Sequence, residues 1–222
     1  MEIETNLDTK KQSPKLLGMF TSPSEQFERI KQNPKIWVPL IIISILYAIG
    51  MTLMALSMDA EALIGEGIPE DQAEIILVVT KVTMMVMGIF SPIIGILISS
   101  AIQLVIAKIA NSPVSFKQLF SMNTYIMIIG AVGLILNMAV SYAIGGSPEI
   151  YTTSLGGLLN QKTIVYNSIE VFKLWGVVLT AIGLHKTGRF SKGLAWTIAI
   201  AFFLISIGFG LLGTLIQGAP KL

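Results

Sequence analysis

Apolar residues fall into long runs separated by short polar stretches. The first run, Ile36 to Ser57, is followed by a loop holding Asp59, Glu61, Glu66, Glu70, Asp71 and Glu74 and no Lys or Arg. At about 1.5 Å per residue it covers roughly 33 Å, enough for a hydrocarbon core of about 30 Å. The second run, Ile75 to Ala110, is longer than one crossing needs and contains Ser91-Pro92. Either one helix kinks at Pro92 or two short helices turn back there; no polar loop residues support a turn. A third run extends from about Leu119 to Ile144 and ends at Gly145-Gly146-Ser147-Pro148. A fourth ends near His185, and a fifth runs from Gly193 to about Ile216. The pattern predicts an all-α, polytopic membrane bundle of five transmembrane helices.

Local signals place the helix starts. Ser22-Pro23-Ser24-Glu25 reads as a capping box with proline at the first helical position. The helix it opens stops before Pro34. Phe20, Phe27 and Ile30 share an apolar side of this short amphipathic piece. It either lies on the membrane surface or docks on the bundle. Residues 1–35 thus form a cytoplasmic N-terminal segment, polar and mobile as far as Gly18, and residues 36–217 form the transmembrane domain. Ser115-Phe116-Lys117-Gln118 is a second capping box, and Asn167-x-x-Glu170 is a plausible cap for the fourth span. Residues between Gly145 and Tyr166 read as one external loop.

Of the 222 residues, 53% are hydrophobic and 13% charged. A soluble domain carries about twice that charged share. The net charge of +2 argues against a nucleic-acid partner. Without cysteine there is no thiolate metal site, and the single histidine, His185, cannot build a histidine site alone. No short apolar core follows a basic start, so the first run is expected to remain as a signal anchor. Five crossings put eleven Lys and Arg residues on one side and four on the other. The positive-inside rule then predicts a cytoplasmic N-terminus, an external C-terminus and a single kinked helix at Pro92.

Several runs carry small or polar residues every fourth position: Ser91, Gly95, Ser99 and Gln103; Gly133, Asn137, Ser141 and Gly145; Ser206, Gly210 and Thr214. Such stripes pack helices closely and hydrogen-bond between them. The sharper reading is a polar lining for a translocation path; packing is favoured because these stripes recur in membrane bundles. Asn137 is expected to be buried between helices and hydrogen-bonded. Glu170 and Lys173 are spaced to pair on one face, and Lys81 is expected either to sit at the outer edge or to find an acidic partner such as Glu74 or Glu170. Structural ion pairs are favoured over a proton relay. His185 reads as an interfacial spacer at a helix end. No zinc-protease, Walker or serine-elbow motif occurs, so neither enzymatic activity nor a cofactor is expected.

The order of segments resembles the Yip-domain family, five-helix membrane proteins named after a Rab/Ypt-interacting protein. The resemblance covers about Leu16 to Ile216. It rests on Phe20-Thr-Ser-Pro-Ser-Glu-Gln-Phe-Glu-Arg-Ile-Lys-Gln-Asn-Pro34, on Pro39-Leu40 and on Ser115-Phe-Lys-Gln-Leu119. It also rests on Phe172-Lys-Leu-Trp-Gly-Val-Val-Leu-Thr-Ala-Ile-Gly-Leu184 with the basic turn and Ala195 beyond. The likeness is to the bacterial branch, the YknW type included. Relatives often carry a proline after the Ser-Phe-Lys/Arg-Gln element; Tyr125 to Gly133 has none. The resemblance implies a non-enzymatic multi-pass protein of the bacterial cell membrane. Its implied role is that of an accessory or assembly factor for an ABC-type exporter in protection against a toxic peptide. Membrane lipids and exporter subunits are then the expected partners, with homo-oligomers as a further option. A small transporter or channel and a lipid-organising protein are the competing readings.

Overall fold

The computed structural model describes residues 12–65 and 68–216. Two short helices, α1 (Gly18–Thr21) and α2 (Pro23–Gln32), precede α3 (Trp37–Leu56). A short α4 (Ala60–Gly65) leads into α5 (Glu70–Ile109), which is followed by α6 (Phe116–Ile144). Two more short helices, α7 (Leu155–Leu159) and α8 (Ile164–Ser168), precede α9 (Val171–Lys186) and α10 (Lys192–Ile216). Among the described residues β-pairing is limited to one antiparallel bridge, Ser154 with Glu170.

Four helices are long and apolar enough to cross a membrane: α3, α5, α6 and α10. The expectation of five meets an obstacle in α9. Its 16 residues reach about 24 Å, short of a hydrocarbon core of about 30 Å. By contrast, the run through Pro92 forms one unbroken helix of 40 residues. Pro39 sits in the first turn of α3, where a missing N–H costs no intrahelical bond.

Side-chain contacts fix the directions. α3 and α6 run parallel, with Leu40 clustered beside Phe120 and Gly50 against Leu134. α5 runs against both: Gly88 meets Ala48 and Met51 of α3, and Ser100 and Gln103 meet Asn123 of α6. α9 runs against α6, with Phe172 on Gly133 and Gly183 on Met122. Two of these crossings require glycine. A Cβ at Gly88 would stand 3.0 Å from the Ala48 backbone, and one at Gly133 would stand 2.7 Å from Phe172. α6 is the centre of the bundle, with 44% of its apolar window buried; α10 is peripheral, with 11%.

Three connections gather at one end: the chain from Gln12 to Lys35, the α5–α6 loop and the α9–α10 turn. This end carries nine Lys and Arg residues and two acidic ones among the described residues. The opposite end carries α4, the start of α5, α7 and α8, with three lysines and seven acidic residues.

Several local expectations are corrected. Ser22 makes no side-chain cap to α2; its Oγ accepts from Gln26 Nε2 at 3.3 Å, and Glu25 pairs with Arg29 instead. α9 is capped by Glu170 and not by Asn167, which lies in α8. The stretch after Gly145 is not a plain loop: it forms α7 and α8, Thr153 ahead of α7 bonds to Asn137 of α6, and Ile164 of α8 packs on Gly210 of α10. The capping box at Ser115 and Gln118 is formed in both directions. Part of the segment expected to be mobile, Pro14 to Gly18, is bound to the bundle. Expectations for residues 1–11, for Glu66 and Gly67, and for the tail after Ile216 lie outside the described residues.

Candidate functional site

The basic end is a built surface, assembled from backbone carbonyls that side chains of the bundle hold in place. Phe27 and Ile30 of α2 are fully buried and join Met122 and Leu184 in the main core. With those apolar groups committed to the bundle, α2 keeps its charged face outward. Of the two fates open to this amphipathic helix, docking is the one adopted. Thr187 Oγ1 donates to the Phe27 carbonyl at 2.8 Å, and Gln118 Nε2 donates to the Lys31 carbonyl at 2.7 Å. Ser121 Oγ donates to the Lys35 carbonyl at 2.7 Å, and Tyr125 Oη reaches the Pro14 carbonyl at 3.1 Å. Gln26, 2% exposed, accepts the Lys15 N–H at 2.8 Å. Ser112 Oγ ties the α5–α6 loop to the Gly188 carbonyl at 2.6 Å. His185 also belongs to this end, its Nδ1 2.8 Å from the Phe190 carbonyl. It holds the basic turn as a spacer would.

A second polar group lies between α5 and α6. Asn123 Nδ2 donates to Gln103 Oε1 at 2.8 Å and to Ser100 Oγ at 2.9 Å, while Ser100 Oγ donates to the Ile96 carbonyl. All three side chains are buried. The stripe drawn on α5 from the sequence is therefore rotated. Of Ser91, Gly95, Ser99 and Gln103 only Gln103 is buried; Ser91 is exposed, Ser99 is half-buried and a Cβ at Gly95 would meet open space. The packed face is Pro92, Ile96, Ser100, Gln103 and Ala107. Ser100 and Asn123 were missed. The available signal was two amides, Gln103 and Asn123, at similar distances on either side of one short loop.

A third polar group closes the opposite end. Asn137, 2% exposed, accepts the Thr153 N–H at 2.9 Å and donates to the Gly133 carbonyl at 2.8 Å. Thr153 Oγ1 lies 2.5 Å from Glu170 Oε1 and 3.0 Å from Asn137 Oδ1. The Glu170 carboxylate accepts the N–H groups of Phe172 and Lys173 at 3.0 and 2.7 Å, an N-cap on α9. Beside it, Asn167 accepts from Tyr151 N–H and Ser154 Oγ and donates to the Glu149 carbonyl. Burial, with the Glu170 charge nearby, pushes the Tyr151 phenol above its ordinary value. Ser141 is buried and donates to the Gly146 carbonyl at 3.0 Å.

The expected contact ion pair between Glu170 and Lys173 is not formed. The carboxylate faces backbone N–H groups, and Lys173 Nζ instead meets the Asn167 carbonyl at 3.2 Å and lies 4.6 Å from the Tyr151 ring centroid. Lys81 is half-buried on α5 and makes none of the ion pairs among the described residues. On α10, Ser206 is exposed and bonds its own helix at the Phe203 carbonyl, while Gly210 faces Ile164 of α8. The three stripes thus point in different directions and do not converge on a shared lining. Among the described residues no cluster of His, Asp and Glu is arranged to hold a metal ion.

The family model described as Yip1 domain matches residues 17–214. The chain is 34% identical over 222 residues to a protein named membrane protein YknW from Bacillus subtilis (strain 168), covering 97% of this chain and 96% of that one. No solved structure matches. With the family model spanning α1 to α10 and a relative aligned over nearly its whole length, the chain belongs to the Yip1 domain family of multi-pass membrane proteins.

Proposed function

We propose that the protein is a non-enzymatic accessory or assembly factor of a bacterial cell membrane, docking on a larger membrane complex through its basic end. The observation that carries this reading is the construction of that end. The three connections are locked into one surface by side chain-to-backbone bonds, while the bundle's amides and Glu170 are tied up in packing. Rigid presentation of a surface suits a scaffold. A transporter would set ionisable groups along a path, and the polar groups here close on one another. The lipid-organising reading loses the apolar face of α2 that it needs. An ABC-type exporter is the partner class the family resemblance suggests.

The proposed topology has five crossings, the basic end cytoplasmic and the C-terminus external. α9 is the fourth of these crossings in chain order. It joins the two ends of the bundle alongside α6, and its Glu170 cap bonds to Thr153 at the level of Asn137. That level is 21 residues along α6 from Phe116, about 32 Å. The asymmetry of basic residues gives the direction. Reporter fusions after Asn111 and Lys192 read cytoplasmic, and a fusion after Asn160 reads external. An external reading at Lys192 removes α9 as a crossing.

The functional test is affinity purification of the full chain from mild detergent, with identification of bound proteins. Recovery of exporter subunits supports the proposal. Substrate flux in vesicles containing this protein alone overturns it. Neutral replacements of Lys81, Lys173 and His185, assayed singly for toxic-peptide protection at matched protein levels, should each keep most of the activity. Loss of activity in a folded, partner-bound variant would replace scaffolding by a relay mechanism.

A further inference from the structure

Where α3 enters the bundle, two recesses meet at one side chain. The outer recess, about 680 Å³, lies at the basic end and is lined by Ser13, Pro14, Lys35, Trp37, Lys117 and Tyr125 among others. The inner recess, also about 680 Å³, is an apolar groove between α3 and α5, running from Trp37 along Ile41, Ile45 and Ile49 to Leu53, with Ile89 and Ile93 as its far wall. Trp37 lines both and is 77% exposed. Lys35 and Lys117 are exposed, and their ammonium groups take part in none of the ion pairs of the described residues. Their neighbours on α2 differ: Arg29 and Lys31 are both matched by glutamates. Ser44, also on the groove, is 92% buried (8% exposed), and its Oγ has no hydrogen-bond partner. It stands seven residues inward from Trp37, about 10 Å along the helix.

We propose that these recesses form one binding site for a single anionic glycerophospholipid. Each part of such a lipid meets a matching part of the protein. The phosphate and any further anionic group lie between Lys35 and Lys117, two cations that no protein carboxylate among the described residues neutralises. The indole of Trp37 sits at the junction, the level an interfacial aromatic prefers. One acyl chain follows the apolar groove past Ser44 toward Leu53. A zwitterionic lipid would bring a phosphate whose charge its own ammonium group offsets, and a free phosphate would leave the groove unfilled. Basic recesses beside membrane helices are an established route to headgroup recognition. The site is independent of any protein partner at the basic end.

The test uses the full-length chain in phospholipid nanodiscs, with Trp175 and Trp196 changed to phenylalanine so that Trp37 is the sole indole. Phosphatidylglycerol and phosphatidylcholine, each with brominated acyl chains, are compared as quenchers at equal mole fraction in an unbrominated background. Brominated phosphatidylglycerol is expected to quench Trp37 at lower mole fraction. Each of K35Q and K117Q should reduce that preference about fivefold, the double variant about 25-fold. K162Q, at the opposite end, should leave it intact, and circular dichroism checks that each variant remains helical. Equal quenching by both lipids identifies ordinary boundary lipid and overturns the proposal. A preference that survives the double variant does so too. Complete competition by inorganic phosphate reduces the site to an anion pocket, and weak quenching by both lipids means that a protein surface covers the groove; either result also refutes it.

Discussion

Replacing Glu170 by alanine is expected to do more damage than loss of one charge implies. The carboxylate is 3% exposed. It caps the first turn of α9 through the N–H groups of Phe172 and Lys173 and receives the Thr153 hydroxyl. Loss of a helix N-cap, here the bonds to these two half-buried N–H groups, costs about 0.5–2 kcal/mol, and charge-assisted hydrogen bonds such as these are worth about 1.5–3 kcal/mol each. Thr153 retains Asn137 Oδ1 as an acceptor, so the orphans are the two backbone groups. Relief of the carboxylate's own desolvation returns part of this. The net loss should be about 2–4 kcal/mol. Glu170→Asp, whose short side chain still caps, should cost less than half of that. Thermal unfolding in mild detergent, followed by circular dichroism, measures both. A double-mutant cycle with Thr153→Val isolates the link to the folded-back segment, with a coupling of about 0.5–3 kcal/mol expected. If Glu170→Ala lies within about 0.5 kcal/mol of the parent, or the coupling is nil, the cap and its bridge are incidental.

Gly133→Leu should disrupt the α6–α9 contact, costing about 1–3 kcal/mol from overpacking on Phe172, whereas Gly95→Leu should be tolerated because open space surrounds it; the yield of folded protein after detergent extraction separates the two. Asn123→Leu should cost about 1–2 kcal/mol by leaving Gln103 without its partner between α5 and α6, and Gln103→Leu in the same chain should recover part of that loss in the same unfolding assay. Tyr151 has a raised phenol pKa in the folded chain. Its contribution to stability is therefore complete below the ordinary tyrosine range near pH 10 and is lost as pH rises through the raised value. Tyr151→Phe should be less alkali-sensitive than the parent in unfolding followed between about pH 8 and 11.

Hydropathy and punctuation in the sequence were enough to determine the all-α membrane class, the continuity of α5 through Pro92 and the cap at Ser115. Each depends on residues close in the chain: apolar runs longer than a bilayer needs, the absence of polar residues around Ser91-Pro92, and a Ser-x-x-Gln spacing. The burial of Asn137 was legible for the same reason, since an amide in a long apolar run must find a partner. Tertiary structure decided the rest. On a helix as apolar as α5, four-residue spacing marks stripes on more than one face, and only contact with Asn123 selects the face of Ser100 over that of Ser99. Glu170 and Lys173 had the right spacing to pair, but backbone N–H groups and the Tyr151 ring, brought in by a segment that folds back, compete better for each. Ser22 Oγ accepts from the Gln26 side-chain amide, whose oxygen is held by the Lys15 N–H, and not from a backbone N–H of α2. Local spacing names the possible partners of a polar group; which one it takes depends on what distant chain is packed beside it.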